Sequence, residues 1–161
     1  MVERIPMSVR GNQVLKEELN RLERVERPEV VQAIKVAREH GDLKENAEYH
    51  AAKERQGHIE GRILELKDKL SRAEVIDCTK VDNSIIVFGT VVELMDLETD
   101  ESVTYQLLGP EEADVKSGSI SVLSPIGSSM LGKEEGDEIN VITPGGTREF
   151  EVVKISPSPF A

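Results

Sequence analysis

Asp42 and Glu45 stand three residues apart in the run Gly41-Asp42-Leu43-Lys44-Glu45-Asn46-Ala47-Glu48-Tyr49-His50. Long, charged, helix-patterned segments flank that run on both sides, and Gly41 can break a helix just before the acids. Two chemistries fit the spacing. In the first, Asp-x-x-Glu is a variant of the capping box, with Asp42 accepting from free helix N–H groups and Glu45 reaching back. In the second, both carboxylates point off the tip of a helical hairpin and offer oxygen ligands to a divalent cation. Magnesium keeps waters and is held by one or two carboxylates together with other ligands. Asp42 and Glu45 would then be half a metal site, completed by whatever receives the tip.

Lys35, Arg38, Lys44, Lys53 and Arg55 surround the same end, interleaved with Glu39, Glu48 and Glu54. Such mixing describes a solvated helix face with i,i+4 pairs. A local excess of positive charge would also steer a nucleic-acid strand toward the tip. His50 and His58 are eight residues apart, too far for the i,i+4 metal pair, and no His-Glu-x-x-His motif occurs. No Gly-x-Ser-x-Gly elbow is present, and Gly145-Gly146 has the context of a turn rather than of a phosphate loop. Cys78 is the single cysteine, which excludes an internal disulfide and a cysteine-based zinc ribbon.

The elements that must position the acids are legible from periodicity. Leu15, Leu19 and Leu22 follow helical spacing, and Val30, Ile34 and Ala37 resume it after a one-residue slip near Pro28. Pro28 removes a helix hydrogen bond and marks a kink or restart there. Tyr49, Ala52, Gln56, Ile59, Ile63, Leu66, Leu70 and Ala73 keep three-four alternation, the seam of a coiled coil. A short connection makes the two segments antiparallel, and thirty helical residues span roughly 45 Å. The seam is least apolar at the Tyr49 end, so the tip is the less stable part. Met7 to Gly11 reads as a cap and lead-in.

After Cys78 the pattern changes to short β-branched runs. Residues 85–88, 90–94, 102–108 and 120–123 read as strands. Ser124-Pro125 opens one short capped helix ending near Gly132. Residues 139–142 and 149–153 form a hairpin across Thr143-Pro144-Gly145-Gly146. The fold class is α+β: an antiparallel helical hairpin over 1–76 and a small antiparallel β domain with one short helix over 77–161.

The chain has 161 residues, of which five are aromatic, and a net charge of −11. The first 74 residues balance in charge, so the whole excess lies in residues 75–161. An acidic half repels nucleic acid and suits a basic protein surface, although acidity also serves solubility alone. Met1 to Pro6 does not read as a signal peptide and no apolar run approaches membrane length, which places the chain in the cytoplasm.

The tip run from Arg38 to Lys53 closely resembles that of the GreA/GreB family of bacterial transcript cleavage factors. Ile5-Pro6-Met7, Arg27-Pro28-Glu29, Gly61-Arg62-Ile63, Ser124-Pro125-Ile126, Leu131-Gly132-Lys133 and Thr143-Pro144-Gly145-Gly146 fit the same family in order. The resemblance covers nearly the whole chain. It implies a monomer whose hairpin enters the secondary channel of bacterial RNA polymerase. Asp42 and Glu45 match the acidic tip residues that act on the polymerase's catalytic Mg2+, and the polymerase supplies the other ligands. The chain would have no cofactor of its own. The backtracked 3′ end of the nascent RNA would then be cut by hydrolysis performed by the polymerase. Lys53 matches the basic patch that contacts the extruded RNA, with Lys where Arg also occurs in relatives, so the charge is kept and the planar fork lost. Residues 77–161 would be a domain like that of FK506-binding proteins, gripping the channel rim. Competing expectations are a channel-binding inhibitor, a prolyl isomerase and a structural coiled coil without a partner.

Overall fold

The computed structural model describes residues 3–41, 45–80 and 82–159. Contacts divide the chain into two units, one of residues 13–72 and one that joins the residues through Asn12 to those from Ala73 onward.

The 13–72 unit is the helical hairpin. Helix α1 (Val9–Arg21) leads through a π-helical turn, Leu22–Glu26, into α2 (Arg27–Arg38), and α3 (Ala47–Ser71) returns. Leu15, Leu22, Val30, Ile34 and Ala37 of the outgoing arm are buried, as are Ala52, Ile59, Ile63 and Leu66 of α3. These are seam positions given by periodicity. The other expected seam residues Leu19, Tyr49, Gln56 and Leu70 are only half-buried, and Ala73 lies outside the helix, because α3 ends at Ser71 and Ala73 begins a strand. Leu22 and Val30 are eight residues apart where a heptad would place them seven apart. The π turn absorbs the extra residue, since each of its hydrogen bonds spans one residue more than an α-helical one. The Arg27 N–H accordingly donates to the Leu22 carbonyl. Pro28, at the first turn of α2, has no N–H to contribute to an α-helical pattern across this point.

Ion pairs flank the seam across the arms. Arg62 donates to Glu18 through Nε and Nη2 at 2.8 and 3.2 Å. Arg27 holds Glu60 in the same two-pronged way at 2.7 and 2.9 Å. The hydrogen bonds that Arg27 donates to Glu60 lower the Glu60 pKa and raise that of Arg27. These groups are solvent-accessible, so they set register more than stability. Stability comes from the seam, where truncating a buried Ile63 or Leu66 to alanine costs about 2–5 kcal/mol.

The second unit contains two sheets among the described residues. Strands β1 (Ile5–Ser8) and β2 (Ala73–Ile76) pair in parallel, Ile5 opposite Ala73 and Ser8 opposite Ile76. Parallel strands need a long crossover, and here the crossover is the helical hairpin itself. The expected lead-in at Met7 is therefore a strand, with Met7 fully buried. The larger sheet has the order β5-β4-β3-β7-β6, with β3 Val91–Asp96, β4 Ser102–Leu108, β5 Ser119–Ser121, β6 Glu138–Thr143 and β7 Gly146–Ser156. Its pairs are antiparallel except β4 with β5, which is parallel. Helix α4 (Pro125–Met130) packs against this sheet, capped by the Ser124 hydroxyl, which accepts from the Gly127 N–H at 3.1 Å. Leu94, Leu107, Met130, Phe150 and Val152 form the centre of the core.

One expected strand is absent. Residues 85–88 form no strand; the chain bends at Ile85 and turns at Phe88. Ile86 and Phe88 are used for burial rather than for a ladder: Ile86 is fully buried and is held by Lys133 and Gly132, which exchange backbone hydrogen bonds with it at 2.8 Å. Among the described residues no helix is long and apolar enough to cross a membrane.

Candidate functional site

The described part of the tip begins where α2 stops at Arg38. Gly41 then takes φ +112°, a left-handed conformation that glycine adopts without penalty. Asp42 and Lys44 lie outside the described residues, as does Leu43. Glu45 is described, exposed in the turn before α3, and has no hydrogen-bond or ion-pair partner among the described residues.

The N-cap of α3 is Asn46, not Asp42. Its backbone is extended at φ −84° and ψ 96°, and its Oδ1 accepts from the Tyr49 N–H at 3.0 Å. Its Nδ2 donates to the Ala37 carbonyl at 2.6 Å. Glu45 thus precedes the cap and sits outside the helix, where it cannot act as the third-position acid of a capping box. Asn is among the strongest N-cap residues, so the signal was present in the sequence. The Asp-x-x-Glu spacing drew the expected boundary one turn too early.

Tyr49 and Arg38 join the two arms beneath the tip. The Arg38 guanidinium lies 5.9 Å from the centre of the Tyr49 ring, and His50 meets that ring edge-on at 5.6 Å between centroids. Cation–π contacts of this kind contribute about 0.5–1 kcal/mol at exposed sites.

On one side of the hairpin, Val31, Ile34, Lys35, Arg38, Glu39, Lys53 and Gln56 line a groove of about 450 Å³. Lys35, Arg38 and Lys53 outnumber Glu39 there, and Val31 and Ile34 supply its apolar part. Lys53 Nζ donates to Gln56 Oε1 at 3.3 Å. Arg55 does not line this groove. It pairs with Glu29 at 3.5 Å, so the basic cluster expected from the sequence separates into groove cations and a cross-arm ion pair. A net cationic groove suits the phosphates of a polynucleotide strand, although no aromatic side chain among the described residues lines it for base stacking.

Comparison with known proteins supplies the context. The family model described as transcription elongation factor, N-terminal, matches residues 5–75, and that described as transcription elongation factor, GreA/GreB, C-term, matches residues 81–157. The chain is 75% identical to a transcription elongation factor GreA of Desulfotalea psychrophila over 161 residues, covering all of both chains. It is 54% identical to one of Caulobacter vibrioides over 154 residues, covering 96% of this chain and 98% of the relative. Among solved structures, the GreA factor homolog 1 (Gfh1) protein of Thermus thermophilus matches at 34% identity and a TM-score of 0.44, covering 95% of this chain and 99% of that one.

Proposed function

The chain belongs to the GreA/GreB family of transcription elongation factors, and from that premise we propose how it acts in transcript cleavage. Its helical hairpin enters the secondary channel of bacterial RNA polymerase and presents Asp42 and Glu45 at the polymerase's catalytic centre. The observation that carries this reading is the position of Glu45. It is exposed at the turn and free of the capping role, which Asn46 fills. A carboxylate with no partner among the described residues is available to another molecule.

Oxygen donors of this type fit magnesium, and Asp42 with Glu45 would hold the ion jointly with polymerase groups. The ion, when bound, lowers the pKa of a coordinated water and offsets charge on the leaving oxygen. The chain's own part is to bring the carboxylates in and to hold the RNA. Lys53, with Lys35 and Arg38 on the same groove, pairs with phosphates of the backtracked 3′ segment. The acidic excess of residues 75–161 suits docking to a basic rim outside the channel. In this reading the chain acts as a monomer in the cytoplasm and cleaves nothing alone. It activates hydrolysis by its partner.

The test is Asp42→Asn combined with Glu45→Gln in a backtracked bacterial elongation complex. These changes keep size and remove charge. Cleavage is expected to fall to the factor-free rate while binding, measured by competition, stays unchanged. Normal cleavage by the double variant would end the assignment. A wild-type protein that binds the polymerase and slows synthesis without shortening RNA would favour the inhibitor instead.

A further inference from the structure

Asn46 uses both ends of its amide. The acceptor Oδ1 satisfies the Tyr49 N–H in the first turn of α3, and the donor Nδ2 satisfies the Ala37 carbonyl in the last turn of α2. Helix ends leave such groups short of partners, and one side chain here reaches a group on each arm. The Ala37 carbonyl also accepts from the His40 N–H at 3.1 Å, so it anchors the chain as it leaves α2 as well. Ala37 itself is buried in the seam. Asn46 is thereby tied to a rigid point of the opposite arm, nine residues away in sequence.

We propose that Asn46 is a positioning residue for transcript cleavage, setting through its two-ended amide where the adjacent Glu45 carboxylate stands. This rests on the reading of Glu45 given above. The physical basis is covalent: consecutive Cα atoms are about 3.8 Å apart, so fixing Asn46 to both helix ends fixes the backbone from which Glu45 projects. A simple cap would not need the second contact. Serine and aspartate cap helices about as well as asparagine, but serine is too short to span both arms and aspartate has no N–H to offer Ala37. The requirement for a side chain that donates and accepts at once is specific to asparagine at this reach. A misplacement of about 1 Å in a reacting group can lower a rate about 100-fold.

The experiment uses the full chain with Asn46→Ser, Asn46→Ala and Glu45→Gln beside wild type, in a backtracked elongation complex. Two quantities are read: the cleavage rate at saturating factor and the factor concentration giving half that rate. Amide exchange at the Tyr49 N–H reports the cap independently. Asn46→Ser is expected to keep Tyr49 N–H protection and the half-saturating concentration, while its maximal rate drops about 10- to 100-fold. Asn46→Ala is expected to lose both protection and rate. Wild-type cleavage by Asn46→Ser would overturn the inference and leave a cap alone. So would a rate loss seen only in variants that also lose Tyr49 protection. If wild type itself does not stimulate cleavage, or Glu45→Gln cleaves normally, the tip reading fails first and this inference falls with it. A dependence on Glu45 together with indifference to Asn46→Ser fails the inference only.

Discussion

Glu112 and Ser8, more than a hundred residues apart in sequence, are bonded twice. The Glu112 carboxylate accepts from the Ser8 backbone N–H at 2.7 Å through Oε2 and from the Ser8 hydroxyl through Oε1. The Ser8 hydroxyl in turn accepts from the Gly11 N–H at 3.0 Å, capping α1. A carboxylate beside a helix N-terminus is favoured by the helix dipole. Gly11 is part of the arrangement, because a Cβ built there would lie 2.7 Å from the Glu112 Cδ. The helix start is therefore assembled from residues that lie far apart in the chain.

Gly11→Ala should change sign with its background. In the wild-type chain the new methyl displaces the Glu112 carboxylate and lowers stability. In a Glu112→Ala chain the obstacle is gone, and alanine in a helix is favoured over glycine by about 1 kcal/mol. Glu112→Ala alone should cost about 2 kcal/mol, two hydrogen bonds to a charged acceptor. Urea unfolding of the four proteins measures the coupling. Additive effects would show that the two residues act independently.

Gly109→Ala should be the most damaging single methyl in the second unit. Its Cβ would fall 1.8 Å from the Pro6 carbonyl oxygen, a backbone atom within strand β1. Backbone cannot swing aside as a side chain can, so β1 must separate from the loop after β4. A loss of about 3 kcal/mol or more is expected, read as a fall in thermal midpoint. An unchanged midpoint would mean that β1 is not held there in solution.

Acid should expose the contribution of Asp96. The Arg148 guanidinium, 2.9 Å away, and the Glu98 N–H hold the Asp96 pKa below its usual value. A depressed folded pKa gives stability that is complete above the unfolded value of about 4 and lost as pH falls through the folded one. Asp96→Asn keeps a side-chain oxygen for the Glu98 and Thr99 N–H groups but not the charge. The gap in thermal midpoint between wild type and Asp96→Asn should be constant near neutrality and shrink below about pH 4. A gap that persists to pH 2 would remove Asp96 from the acid response.

Naked RNA should survive incubation with the purified chain and magnesium. A two-metal hydrolytic site needs more ligands and a drier cavity than a tip with Asp42 and Glu45 provides. Gel analysis of a labelled single strand is sufficient. Magnesium-dependent cleavage by carefully purified protein would contradict the half-site.

Periodicity by itself determined the helical hairpin. Ile59, Ile63 and Leu66 are buried where their spacing places them, because a seam that repeats every three or four residues has only one face to offer. The α+β class, the Ser124 cap of α4 and the turn at Thr143 to Gly146 were likewise local in origin, set by residues a few positions apart. Tertiary structure decided what depends on distant partners. Strand β1 is four residues long and contains Pro6, so nothing local marks it, and it exists because Ala73–Ile76 lies beside it. Residues 85–88 have strand composition, yet Ile86 is claimed by Gly132 and Lys133. At the tip the residue types were readable, but the roles were not. Asp42, Glu45 and Asn46 can all cap a helix or serve a partner. The choice fell to Asn46 because the Ala37 carbonyl of the opposite arm stood within reach of its amide, and only the folded hairpin brings that carbonyl there.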